Sequence, residues 1–154
     1  MNPTRRDFLK TGGSVVVCTC TGAGASACAA IAGTSNMAVV PPEAFRSTGS
    51  KVVIDLSNVP ALGVTGGAAK LEIAGTHKKI CVVRAGDDNF AAFVNRCAHL
   101  GRELEYRDDD KRLRCASIGH SEYDLDGRSV KGPAKGNLTK LAVSRNGDFL
   151  EIAL

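Results

Sequence analysis

Apolar residues alternate with polar or opposite-face positions at Val52, Ile54 and Leu56, at Leu71 and Ile73, and at Ile80 and Val82. A period of two marks strands with one buried face. Turn residues punctuate these runs at Gly66-Gly67 and Gly75-Thr76-His77. Asp87-Asp88-Asn89 separates a strand at 80–84 from one at 90–95, and Asp108-Asp109-Asp110 separates 104–106 from 112–114. Asp126-Gly127 and Asn146-Gly147 are hairpin-turn dipeptides. No helical periodicity persists beyond residue 42 and no repeat recurs at a fixed spacing. The pattern predicts an all-β domain, a sandwich or barrel of short antiparallel strands.

The first 42 residues break this pattern. Thr4-Arg5-Arg6-Asp7-Phe8-Leu9-Lys10 precedes a stretch, 11–42, without a single charge. The opening resembles a twin-arginine export signal. Substrates of that route cross the membrane folded, often with a cofactor already inserted, so the resemblance implies an exported protein with a redox or metal group. Residues 11–33 are long enough to span a bilayer, which takes about 20 residues, but are diluted by Gly, Ser and Thr. Ala25-Ser26-Ala27 before Cys28 reads as a cleavage site, as a lipidation site, or as ordinary small residues of an apolar leader. Pro41-Pro42 reads as a stiff linker. The expected organisation is 1–42 as signal, membrane anchor and linker, and 43–154 as the domain.

Charge narrows the function classes. The chain carries a formal +4, of which Arg5, Arg6, Asp7 and Lys10 contribute +2, and so modest a remainder argues against a nucleic-acid partner. Six cysteines in an exported chain would ordinarily signal disulfides. Three of them, Cys18, Cys20 and Cys28, fall in the leader, leaving Cys81, Cys97 and Cys115, an odd number that does not make a disulfide framework. Cys81 sits in an apolar run and reads as a small core side chain. His77 reads as a solvated turn residue, and the run from Asp108 to Asp110, followed by Lys111 and Arg112, as a solvated hairpin tip.

The chemistry lies in two segments. Cys97-Ala98-His99-Leu100-Gly101 and Cys115-Ala116-Ser117-Ile118-Gly119-His120 each offer one thiol and one imidazole at close range. Two Cys and two His suit a tetrahedral zinc ion, although zinc sites favour Cys-Cys and His-His pairs over a thiol and an imidazole from each loop. They also suit a two-iron cluster with thiolates on one iron and imidazoles on the other.

Four segments in order make the chain resemble the Rieske family. Cys97 to Gly101 matches the first ligand box, and Ser121-Glu122-Tyr123-Asp124-Leu125-Asp126-Gly127-Arg128 resembles the stretch after the second. Lys131-Gly132-Pro133-Ala134 resembles the proline loop that covers the cluster, and 141–152 the closing hairpin. The resemblance implies a Rieske fold with a two-loop cluster-binding subdomain, and a [2Fe–2S] cluster held by Cys97, His99, Cys115 and His120. It also implies that Ser121 and Tyr123 donate hydrogen bonds to the cluster sulfurs. The second box departs from the family's Cys-x-x-His-Gly-Ser, since His120 stands five positions after Cys115. The disulfide pair of quinol-oxidising members is missing, with Arg102 at one of its positions. The implied role is that of a one-electron carrier or electron-transfer subunit on the periplasmic side of the membrane, not catalytic by itself. Its expected partner is a cytochrome or the large subunit of an oxidoreductase. The competing expectation is a zinc-bound or cluster-free β-domain that acts as a binding module.

Overall fold

The computed structural model describes residues 35–117 and 119–154. The twin-arginine segment, the apolar stretch after it and the Ala-Ser-Ala-Cys segment all lie outside the described residues. In chain order the strands are β1 (Ala38–Val39), β2 (Phe45–Thr48), β3 (Lys51–Asp55), β4 (Ala68–Ile73), β5 (Lys78–Arg84), β6 (Phe90–Val94), β7 (Leu104–Arg107), β8 (Arg112–Cys115), β9 (Glu122–Tyr123), β10 (Ser129–Lys131), β11 (Lys140–Leu141), β12 (Val143–Asn146) and β13 (Phe149–Ala153). They form three sheets, ordered β1-β4-β5-β6-β11, β12-β13-β3-β2 and β10-β9-β8-β7. Every pairing is antiparallel except β1 with β4. The all-β expectation holds.

The five-stranded sheet is a middle layer with a core on each face. Ile80 and Val82 of β5 and Phe90 and Ala92 of β6 join Val52, Ile54, Leu150 and Ile152 in one cluster. The intervening Cys81, Val83, Ala91 and Phe93 join Leu104, Leu113, Cys115 and Tyr123 in the other. The sequence pattern marks the strand at 80–84 as half buried, whereas Ile80 through Val83 are all buried. A strand covered on both faces shows a continuous apolar run, and period two cannot separate its two buried sides. Cys81, fully buried and free, is a core side chain as expected. β3 and β13, covered on one face, keep clean alternation.

The ordered domain starts before residue 43. Met37 and Val40 are buried, β1 pairs with β4, and the Asn36 amide bonds both ways with the Tyr106 backbone at 3.1 and 3.2 Å. Pro41 and Pro42 therefore do not form a free linker. Pro41 is extended, with φ −59° and ψ 143°, and leads into a single 3-10 turn at Pro42–Ala44, where a missing N–H costs nothing.

The hairpin tips follow their sequence signals. Asn146 pairs with Phe149 across the Gly147-Asp148 turn, and Gly147 takes φ +59°. His77 and Lys111 also take positive φ at exposed turns.

Candidate metal centre

The sheet β10-β9-β8-β7 carries the second of two ligand loops, and the first leads into it from the end of β6. Cys97 follows β6 by three residues, and its loop is closed by Cys97 N–H to Arg102 O (2.8 Å) and Gly101 N–H to Cys97 O (2.9 Å). Gly101 supplies φ +67° for that reversal. Asn95 pins the loop from below: buried, it accepts the Leu104 N–H on Oδ1 at 2.8 Å, joining the residues on either side of the loop. Glu103 ties the same region to the middle sheet, receiving Lys70 at 2.8 Å and Lys79 at 2.7 Å. Burial raises the Glu103 carboxyl, but these two ammonium groups outweigh it and hold the acid below its usual range.

The second loop begins at Cys115, the last residue of β8. Its base is closed by Cys115 N–H to Ser121 O at 2.8 Å, and inside it His120 N–H reaches Ser117 O at 3.2 Å. Gly119 at φ +100° and His120 at φ +41° turn the chain back in two consecutive left-handed steps. A histidine in this region carries a backbone cost of order 1–3 kcal/mol.

Across the gap between the loops the two thiols meet. Cys97 and Cys115 are buried and free, and both belong to the second core cluster. Each sulfur also faces a hydroxyl. Tyr123 Oη lies 3.2 Å from Cys97 Sγ and accepts the Ala98 N–H at 3.2 Å, which leaves its own proton for the sulfur. Ser117 Oγ lies 3.0 Å from Cys115 Sγ. The His99 N–H adds a longer contact to Cys97 Sγ at 3.4 Å.

Burial pushes the Cys97 thiol up, but donors from Tyr123, Cys115, His99 and Leu100 outweigh it, so Cys97 ionises below the usual thiol range. Burial raises Cys115, Ser117 opposes this, and the neighbouring Cys97 adds to it, leaving Cys115 above that range. Burial, then Cys97, raises the Tyr123 hydroxyl. Tyr123 therefore stays a proton donor.

The imidazoles are placed differently. His99 and His120 are exposed on their loops, and His120 Nδ1 lies 3.4 Å from Cys115 O. Among the described residues no three His, Cys, Asp or Glu side chains gather round one point. The assembled part of the site is thus the thiol pair. The donor set fits an iron–sulfur group in kind, with two soft sulfurs side by side, a hydroxyl on each, and an imidazole on each of the same two loops.

Ser121 makes no hydrogen bond to either cysteine sulfur among the described residues. It is buried, and its Oγ accepts the Ala134 N–H at 3.1 Å, fastening the proline loop to the second ligand loop. A side chain at Gly132, where φ is +90°, would place Cβ 2.7 Å from Ser121 Cα and 2.9 Å from His120 O, so only glycine lets the two backbones touch. Pro133 then covers Gly119, its Cγ 3.7 Å from where a Cβ would stand. The sequence reading missed Ser117 and Asn95. Ser117 stands two positions after Cys115, as His99 does after Cys97, and that parallel was the available signal. Asn95 gives no signal beyond its place next to the first box.

A family model described as the Rieske [2Fe-2S] domain matches residues 51–142. No curated relative matches the chain. Among solved structures, the ferredoxin of carbazole 1,9a-dioxygenase from Nocardioides aromaticivorans IC177 is similar at 19% identity and TM-score 0.53, over 66% of this chain and 93% of that one. The plasma membrane Rieske protein PetC3 from Synechocystis PCC 6803 is similar at 21% identity and TM-score 0.47, over 54% and 84%. The apo quaternary ammonium Rieske monooxygenase CntA is similar at 19% identity and TM-score 0.47, over 60% of this chain and 30% of that one.

Proposed function

The chain belongs to the Rieske [2Fe–2S] domain family and is an electron-transfer protein of that family, and from this premise we propose that it carries single electrons between two redox partners on the exported side of the cytoplasmic membrane. Cys97 and Cys115 would hold one iron of the cluster, and His99 and His120 the other. The observation that carries this assignment is the pair of buried, free thiols from the two loops, each with a hydroxyl oxygen 3.0 to 3.2 Å from its sulfur. The cluster supplies one-electron chemistry when bound.

This chain's residues do the rest. Tyr123 and Ser117 donate to the two thiolate sulfurs, which favours the more negative, reduced state and raises the potential. The loop 131–134, fixed by Ser121, keeps water from the sulfur side. His99 and His120, at the surface, give the electron its exit. The partners are a cytochrome or the large subunit of an oxidoreductase. With Arg102 and Ser117 near the two boxes and no added cysteine, the disulfide-free branch fits better than a quinol oxidase.

Electron paramagnetic resonance of the dithionite-reduced protein tests the reading. The expected signal is that of a nitrogen-ligated [2Fe–2S] centre, with a low average g. Zinc without iron, and a silent spectrum, would sink it in favour of a structural zinc site. His120→Ala is expected to abolish the signal, and a normal cluster in that variant would remove His120 from the ligand set. Export is tested by Arg5→Lys/Arg6→Lys, which should strand the folded protein in the cytoplasm.

A further inference from the structure

The three segments at the cluster end, 96–102, 116–121 and 131–136, contain Arg96, Arg102, Lys131 and Lys135 and not one acidic residue. All four cations are exposed. Arg96, Arg102 and Lys135 make no ion pair among the described residues, and Lys131 reaches only the buried Glu122, at 3.5 Å. Arg96 lies against Gly101, with Nε 3.2 Å from where a Cβ would stand, on the wall of an open cleft of about 450 Å³ that also includes His99. Leu100, between Arg96 and Arg102 in the first loop, stands 58% exposed.

The other end of the molecule carries both signs, with five aspartates in two turns and Arg107, Lys111 and Arg145 paired to them. Asp87 and Asp88 lie in the turn from β5 to β6, and Asp108, Asp109 and Asp110 in the turn from β7 to β8. Asp108 packs against Gly66, whose N–H bonds Arg84 O, and Arg84 in turn donates to Asp87 O, so the two acidic turns are neighbours. β6 runs from that end toward Cys97, and β7 runs from the first ligand loop back to it. Outside the first ten residues the chain carries only +2, so a tip of +4 leaves the remainder at −2. The excess positive charge beyond residue 10 therefore sits round the ligand loops.

We propose that this cluster-end surface docks an acidic face of the redox partner protein, with Arg96, Arg102, Lys131 and Lys135 pairing with carboxylates around the partner's own redox centre and the exposed Leu100 in the contact. The proposal rests on the electron-transfer function above. A [2Fe–2S] centre on two thiolates and two neutral imidazoles is formally neutral oxidised and singly negative reduced, so the four cations set the sign of the field at the tip. Complementary charge steers encounter and fixes orientation more than it adds affinity, which is what a transient carrier needs. A lipid or nucleic-acid surface has no redox centre to receive the electron. The site that must approach the acceptor is the one the cations surround.

The test is stopped-flow oxidation of the dithionite-reduced holoprotein by two small probes. Each reduced protein gives one electron, to ferricyanide yielding ferrocyanide, or to the tris(phenanthroline)cobalt(III) cation yielding cobalt(II). Raising ionic strength from about 0.01 M to about 0.15 M should slow the ferricyanide reaction about tenfold and speed the cobalt reaction. R96Q/R102Q/K131Q/K135Q should lose or invert both slopes, while D87N/D88N/D109N/D110N, which changes net charge as much at the other end, should keep them. Wild-type slopes in the first variant, or equal effects of the two variants, would overturn the proposal. Binding to phosphatidylglycerol but not phosphatidylcholine vesicles, lost in the tip variant, would reassign the patch to a membrane surface. The [2Fe–2S] signal is recorded on every sample first. Its absence refutes the electron-transfer reading and the docking with it, whereas a normal signal with flat salt dependence refutes the docking alone.

Discussion

Replacing Tyr123 by Phe isolates one hydrogen bond. The ring is fully buried in the second core and keeps its packing, while the hydroxyl 3.2 Å from Cys97 Sγ is removed. A hydrogen bond to a charged group contributes about 1.5–3 kcal/mol. It exists in both oxidation states and strengthens as the cluster gains negative charge. If about half of it is differential, the reduced state loses about 1 kcal/mol, and at 59 mV per tenfold in a one-electron couple the midpoint falls by about 40 mV. The second partner of the hydroxyl, the Ala98 N–H, belongs to an exposed residue and turns to water, so stability should change by less than about 1 kcal/mol. Spectroelectrochemical titration gives the midpoint, and thermal melting of the same sample gives the stability. An unchanged or raised midpoint in a fully loaded, normally stable variant would refute the claim that this hydroxyl tunes the sulfur.

The two serines should separate cleanly. Ser117→Ala removes the 3.0 Å contact to Cys115 Sγ and should lower the midpoint by a few tens of millivolts, whereas Ser121→Ala removes the Ala134 anchor and should cost about 1 kcal/mol of stability with little effect on potential; redox titration and melting of both variants check this. Gly132→Ala forces a Cβ against Ser121 and His120 at φ +90° and should lower stability by about 1–3 kcal/mol and speed loss of iron to a chelator. Glu103, held below its usual range in the folded state, adds stability that is complete above the unfolded carboxylate range and is lost as pH falls through its lower folded value. Glu103→Gln should therefore cost about 1 kcal/mol at neutral pH and flatten the acid limb of a denaturation series.

How much of this was legible in the sequence depends on how local each feature is. β3, β4, β8 and β13 bury one face and show alternation. β5 and β6 do not, because the second core that covers them comes from β7, β8 and β9, further along the chain. Pro41-Pro42 carries a linker signal, and the burial of Met37 and Val40 just before it was not legible because it depends on β4 some thirty residues away. At the site, the loops and their cysteines were evident from residue type and spacing. The roles of the serines were not, since whether a hydroxyl meets a sulfur depends on the turn. With Gly119 and His120 both left-handed, Ser121 swings to the proline loop and Ser117 is left beside Cys115.

The arrangement also explains why so small a subdomain serves as an electron carrier. Fast transfer requires that ligands move little when charge changes, and loops are ordinarily the mobile part of a fold. Here each loop is bound at several points. Asn95 and the Cys97–Arg102 bond close the first, Cys115–Ser121 closes the second, Ser121 joins the second to the proline loop, and the Gly132 contact leaves no room for that loop to slide. The sulfurs themselves extend from a core packed against a middle sheet that is covered on both faces. Rigidity therefore comes from the buried thiol side, while His99 and His120 remain at the surface where a partner can approach. Among the described residues His77, Lys111 and His120 hold a left-handed backbone without being glycine, and of the three only His120 lies in the loop that follows Cys115.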